Sequence, residues 1–135
     1  MTNKETMQIM LQDIVDQFVV NPESRGLDGG LCQYNPAHPK ISPGCAIGMY
    51  LDTKTAKKLD NIGPIDYVFS VEKHILLPNW MLKLGKEFLE DIQIFHDTDS
   101  NFTRTGISFF GLENLRNLCT KYKLKLPKIN KINMP

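Results

Sequence analysis

Leu31-Cys32-Gln33-Tyr34-Asn35 and Cys45-Ala46-Ile47-Gly48-Met49-Tyr50-Leu51 are the two short runs that decide the fold class. Between them, residues 36–44 hold three prolines and a glycine, the composition of a turn or long loop. The first run reads as a short strand. The second is apolar almost throughout, as in a strand buried on both faces. Together they predict an antiparallel β-hairpin of 31–35 with 45–51.

Helices are expected on either side of it. Thr2 followed by Glu5 forms a capping box, and Met7, Met10, Leu11, Ile14, Val15 and Phe18 then recur at three- and four-residue steps. Asn21-Pro22 closes that helix, because proline disfavours helical geometry in the residue before it. A short helix capped by Asp52 or Thr53 is expected through Leu59, and another opening at Pro64. A long helix from Asn79 carries Met81, Leu84, Phe88, Leu89, Ile92 and Phe95 on one face, with Gly85 offering close approach to another backbone. A further helix runs from about Phe109 to Tyr122 behind Ser108. The expected fold is therefore α+β, one small domain over residues 1–126. Three main helices pack on the hairpin or a small sheet, and residues 127–135 form a flexible basic tail.

With 135 residues, the chain suits one domain with a core of its own. Sixteen bases against fifteen acids exclude a strongly cationic nucleic-acid coat, so nucleic acid is not an expected partner. The charge is uneven. Residues 114–135 contain six bases and no acid, so the other 113 residues hold ten bases and all fifteen acids. No apolar run approaches the ~20 residues needed to span a bilayer, and no secretory leader opens the chain. Three cysteines, an odd count, argue against a disulfide framework. The expectation is a cytoplasmic protein with reduced thiols.

Several constellations could carry chemistry. Cys32, Cys45, His96 and Cys119 include zinc-ligand types, but the gap between Cys32 and Cys45 is far wider than the two to four residues usual in zinc sites. Neither a metal nor a cofactor is expected. Asp97-Thr98-Asp99-Ser100-Asn101 begins like a calcium loop and then fails, with Phe102 where glycine is needed and Ser108 where a bidentate glutamate is needed. Cys45 could act as a nucleophile with His96 as base and Asp97 as its orienter, the arrangement of a Cys-His hydrolase or transferase. Arg25 stands among Gly26, Gly29 and Gly30, where exposed backbone amides beside a guanidinium could hold a phosphate. Tyr34 and Lys40 would neighbour it if the hairpin forms. The ligand-binding candidates are therefore Arg25, Tyr34, Lys40, His96 and Asp97.

The runs Leu31-Cys32-Gln33-Tyr34, Gly44-Cys45-Ala46-Ile47-Gly48 and Asp91-Ile92-Gln93-Ile94-Phe95-His96-Asp97 carry a resemblance. The chain resembles a group of small uncharacterised bacteriophage and prophage proteins, which share a Cys-x-Tyr strand, a Cys-Ala-Ile-Gly strand and a late helix ending in His-Asp. The likeness spans about residues 5–120. It differs at Ile92, where the group commonly has leucine, and at Phe102, where a tryptophan often follows. The resemblance implies a phage setting and no particular reaction. Together with the small size, near-zero charge and lack of a complete catalytic motif, it suits an accessory binding protein in the host cytoplasm that counters host defence. Such a protein would sequester a small nucleotide signal or mask a host defence protein, as a homo-oligomer if a shallow pocket must be closed. The Cys-His enzyme is the alternative.

Overall fold

Thr2 accepts a hydrogen bond from the Glu5 backbone N–H at 3.1 Å, and its own hydroxyl donates to the Glu5 carboxylate at 3.2 Å. That cap starts helix α1, Asn3–Ile14, in a computed structural model that describes residues 1–25, 27–28, 31–36 and 42–135, the side chains of residues 27, 28, 31 and 32 excepted. The helix continues as a wider π turn over Val15–Val19, where the Val20 N–H reaches back five residues to the Val15 carbonyl. This turn sends Val15, Phe18 and Val19 all inward, none more than 1% exposed. The predicted stripe of α1 is thus buried apart from Met7, which is half-buried.

The rest of the chain is mostly helical. Helices α2 (Thr53–Asp60), α3 (Ile65–Ser70), α4 (Asn79–Leu82), α5 (Lys86–Asp97) and α6 (Phe109–Tyr122) follow in order. Asp52 caps α2 through the Thr55 N–H at 2.7 Å, and Ser108 caps α6 through the Gly111 N–H at 2.9 Å. The apolar faces of α1 through α6 and the segment Cys45, Ala46, Ile47 meet in one core.

The α+β expectation fails here. Among the described residues the only strands are two-residue pieces, β1 (Leu27–Asp28) and β2 (Leu31–Cys32), paired antiparallel with Leu27 opposite Cys32. Residues 45–51 are not a strand. They form a turn followed by a 3-10 turn over Gly48–Tyr50. The two sequence runs do meet: the Cys45 N–H donates to the Gln33 carbonyl at 3.0 Å, and their backbones pack closely. A Cβ on Gly48 would lie 2.4 Å from the Tyr34 carbonyl oxygen. Here the two backbones touch across a glycine, and no ladder joins them.

Two further expectations change. The helix from Asn79 is broken at Gly85, which stands at φ 91° between α4 and α5. No atom lies within 4 Å of a Cβ built there, so Gly85 serves a backbone turn and not a close approach. The basic tail lies back along α1. Gln8 and Gln12 each bridge a tail residue twice: the side-chain amides donate to the carbonyls of Lys125 (2.8 Å) and Lys128 (3.0 Å), and their oxygens accept from the same residues' N–H groups at 2.8 and 2.9 Å. Asn133 then closes on Thr105 and Ile107.

Candidate functional site

The C-terminal turn of α5 is where most of the predicted site residues gather. His96 is fully buried, its ring edge-on to Phe18 of the π turn at 4.5 Å between centroids. Its Nδ1 lies 2.7 Å from Asp97 Oδ1, and the Gln93 amide donates to the same oxygen at 2.8 Å. With the carboxylate accepting, Nδ1 carries a proton. Nε2 has no hydrogen-bond partner among the described residues. An orienter and a base are therefore present, but the base is sealed from solvent.

The proposed nucleophile is not available beside it. Cys45 is fully buried and disulfide-bonded, whereas Cys119 is a free, buried thiol. This overturns the expectation of wholly reduced cysteines. A sulfur in a disulfide is not a thiolate and cannot attack an electrophile. The thiol of Cys119 is pushed up by burial, which disfavours the reactive form. No described group of three or more His, Cys, Asp or Glu side chains could hold a metal ion.

Arg25 sits beside the same turn, with three of its N–H groups engaged among the described residues. It donates to the His96 carbonyl at 3.0 Å, to Asp99 at 2.6 Å and to the Pro22 carbonyl at 3.2 Å, and its guanidinium lies 4.5 Å over the Phe102 ring. It fastens the end of α5 by bonding an orphaned C-terminal carbonyl. Asp99, which began the calcium-like pattern with Asp97, is used as the partner of this cation. Tyr34 is buried beneath, donating from its phenol to the Gly63 carbonyl at 3.0 Å, while Asp60 accepts from the Tyr34 and Asn35 N–H groups. Burial, then the nearby carboxylates of Asp97, Asp60 and Asp66, push the Tyr34 phenol above its ordinary range. Lys40, the remaining candidate, lies outside the described residues.

What sequence reasoning missed is the outer face of α5. Ile94 is 63% exposed and stands between two hollows. On one side, an open groove of about 330 Å³ between α5 and α6 is lined by Asp91, Thr98, Asn114, Asn117 and Lys121 among others. On the other, the start of α3 (Pro64, Ile65, Asp66) faces Glu90, Gln93 and Asp97 across about 230 Å³. The one sequence signal was Ile94 itself, an apolar residue off the buried stripe of its helix. No described helix is long and apolar enough to cross a membrane. No family model matches the chain, and no curated protein or solved structure matches it either.

Proposed function

We propose that this chain is a phage-type accessory binding protein that acts without catalysis, by masking a host defence protein. The observation that carries the reading is Ile94, a large aliphatic side chain left in water on α5 between two hollows. Hot-spot side chains of a partner dock in pockets, so the two hollows beside Ile94, rather than its exposure alone, support a protein-binding surface. The phage setting comes from the sequence resemblance alone. Burial of His96 and the disulfide at Cys45 weigh against the Cys-His alternative.

Protein masking is favoured over nucleotide sequestration on electrostatic grounds. The guanidinium of Arg25 is committed to Asp99 and to a backbone carbonyl. The hollow beside Gln93 is walled by Asp66, Glu90 and Asp97, which would repel a phosphate. Lys121, at the other hollow, is held by Glu87 and Asp91 at 2.7 Å each.

The test is affinity purification of the tagged protein from host cells, followed by native mass spectrometry, beside an Ile94→Asp variant checked for unchanged thermal unfolding. A stoichiometric protein partner captured by the parent and lost by the variant supports the reading. A nucleotide-sized adduct, with a thermal shift on adding cyclic or ADP-ribose-type nucleotides, would replace it with sequestration. The same spectra read self-association.

A further inference from the structure

Four apolar side chains stay in water where the C-terminal segment meets the start of α6. Phe109 and Phe110, the first two residues of α6, are 75% and 69% exposed, and Ile132 and Met134 are 83% and 37% exposed. Backbone contacts bring the two segments together. The Ile107 N–H donates to the Asn133 carbonyl at 3.0 Å, and the Asn133 amide donates to the Thr105 carbonyl at 2.7 Å. Gly106 permits this, since a Cβ there would collide with the Asn133 carbonyl oxygen. Ile132 sits on a 3-10 turn, Lys131–Asn133, which Asn130 caps through the Ile132 N–H at 3.2 Å. Side chains in a helix tilt toward its N-terminus, so Phe109 and Phe110 lean toward the end of α6 that holds this turn.

The charges at this end have one sign. Residues 100–112 hold Arg104 and no acid, and residues 123–135 hold four lysines and no acid. Arg104 stands on the turn closed by the Thr103 N–H to the Gly106 carbonyl at 2.8 Å, and Lys131 precedes Ile132. Both are exposed, and neither side chain makes a hydrogen bond or ion pair among the described residues. Of the flanking acids, Asp99 is paired with Arg25, and Glu113 lies one turn along α6 from Phe109.

We propose that this end of the molecule docks on a bilayer of anionic phospholipid. Phe109, Phe110 and Ile132 enter the headgroup boundary, and Arg104 and Lys131 meet the phosphates. Apolar tips beside uncommitted cations are what interfacial binding needs: burial of the tips supplies the hold, and attraction to anionic lipid adds to it. The long basic side chains can lay their stems against the apolar layer and keep their charges at the phosphates. Single-stranded nucleic acid also takes aromatic and basic groups, but it fits less well. Adjacent residues of a helix point about 100° apart, so the two rings do not make one stacking platform. Ile132 and Met134 offer no ring for a base to stack on. A protein partner would need its own pocket for each projecting ring, whereas fluid lipid receives them without one. The inference is independent of the masking reading, which concerns Ile94.

The experiment co-sediments the intact protein with vesicles of phosphatidylglycerol and phosphatidylethanolamine, beside vesicles of phosphatidylcholine alone. Expected is saturable binding to the anionic vesicles, at least tenfold stronger than to phosphatidylcholine and weakened by salt. The double variants Phe109→Ser/Phe110→Ser and Arg104→Glu/Lys131→Glu, with thermal unfolding unchanged, should each lose at least tenfold in affinity. Ile75→Ser, which removes a comparably exposed isoleucine (79%) from another segment, should bind as the parent does. Spin-labelled lipid should broaden the NMR signals of residues 104–110 and 131–134 first. That map needs no variant, so it decides the matter if a substitution unfolds the chain. No binding, equal binding to both kinds of vesicle, double variants that bind normally, loss of binding in Ile75→Ser, or broadening centred on other residues would each overturn the assignment. A thymidine oligonucleotide that saturates these resonances where vesicles do not would replace the bilayer with single-stranded nucleic acid. A host protein captured through Phe109 and Phe110, with no vesicle bound, would replace it with a protein.

Discussion

The Tyr34 backbone occupies the space that a side chain at Gly48 would need. Gly48→Ala should therefore force 45–51 away from Tyr34 and destabilise by about 1–3 kcal/mol, as overpacking of a tight core generally does; urea unfolding measures it. Arg25 is the second residue with consequences of this kind. Read from sequence it is a loop arginine free to hold an anion. In the fold it ties the turn at Pro22–Ser24 to the last carbonyls of α5. Arg25→Ala should cost about 1.5–3 kcal/mol, the range for hydrogen bonds made by a charged group. Most of that comes from the bond to the carbonyl of buried His96, since Asp99 is 78% exposed and its ion pair is screened by water. A variant as stable as the parent would return Arg25 to the pool of ligand-binding candidates.

At the scale of elements, the apolar run 45–51 shows why a strand was expected and not found. Seven residues with little polar character carry no period, so a buried strand and a buried turn look alike. What separates them is Gly44 at φ 102° and Gly48 under Tyr34, features of backbone approach invisible in an apolar count. The helices were legible because they have both a stripe and a cap, as at Thr2, Asp52 and Ser108. Gly85 was legible as an oddity but not as a break, since a glycine inside a helical pattern is compatible with either. The tail has its own test. Gln8→Ala combined with Gln12→Ala removes four hydrogen bonds to Lys125 and Lys128. Hydrogen exchange should speed at those two amides while the core of α1 stays protected. The loss in global stability should be small, about 1–2 kcal/mol, because the bonds are exposed to water.

For the whole molecule, the tyrosines set the alkaline limit. Burial raises Tyr34, and burial with the Asp13 bond raises Tyr50, so the folded state keeps phenol protons that the unfolded chain releases above about pH 10. A raised folded value means the stabilisation is present below that pH and is lost as pH climbs past it. Urea midpoints should hold steady to about pH 9 and then fall. For Tyr34, fully buried, the slope approaches about 1.4 kcal/mol per pH unit. A midpoint rising above pH 10 would contradict the buried phenols. The disulfide at Cys45 acts on the same scale. In denaturant without reductant, alkylation should label Cys119 and leave Cys45 unlabelled, and adding reductant should expose Cys45 and lower the melting temperature. A loss of about 2–5 kcal/mol is usual when a native disulfide is removed.

Helix positions, their caps, the buried stripes and the gathering of His96 and Asp97 at one helix end follow from the sequence, because each depends on neighbours three or four residues away. The state of the sulfur at Cys45, the use of Arg25 as a fastener and the absence of the 31–35/45–51 ladder depend on groups far apart along the chain, so only the tertiary structure decided them. The acid-walled hollow is of the same kind. Asp66 and Asp97 lie on different helices, and it is the packing of α3 against α5 that brings both to one hollow.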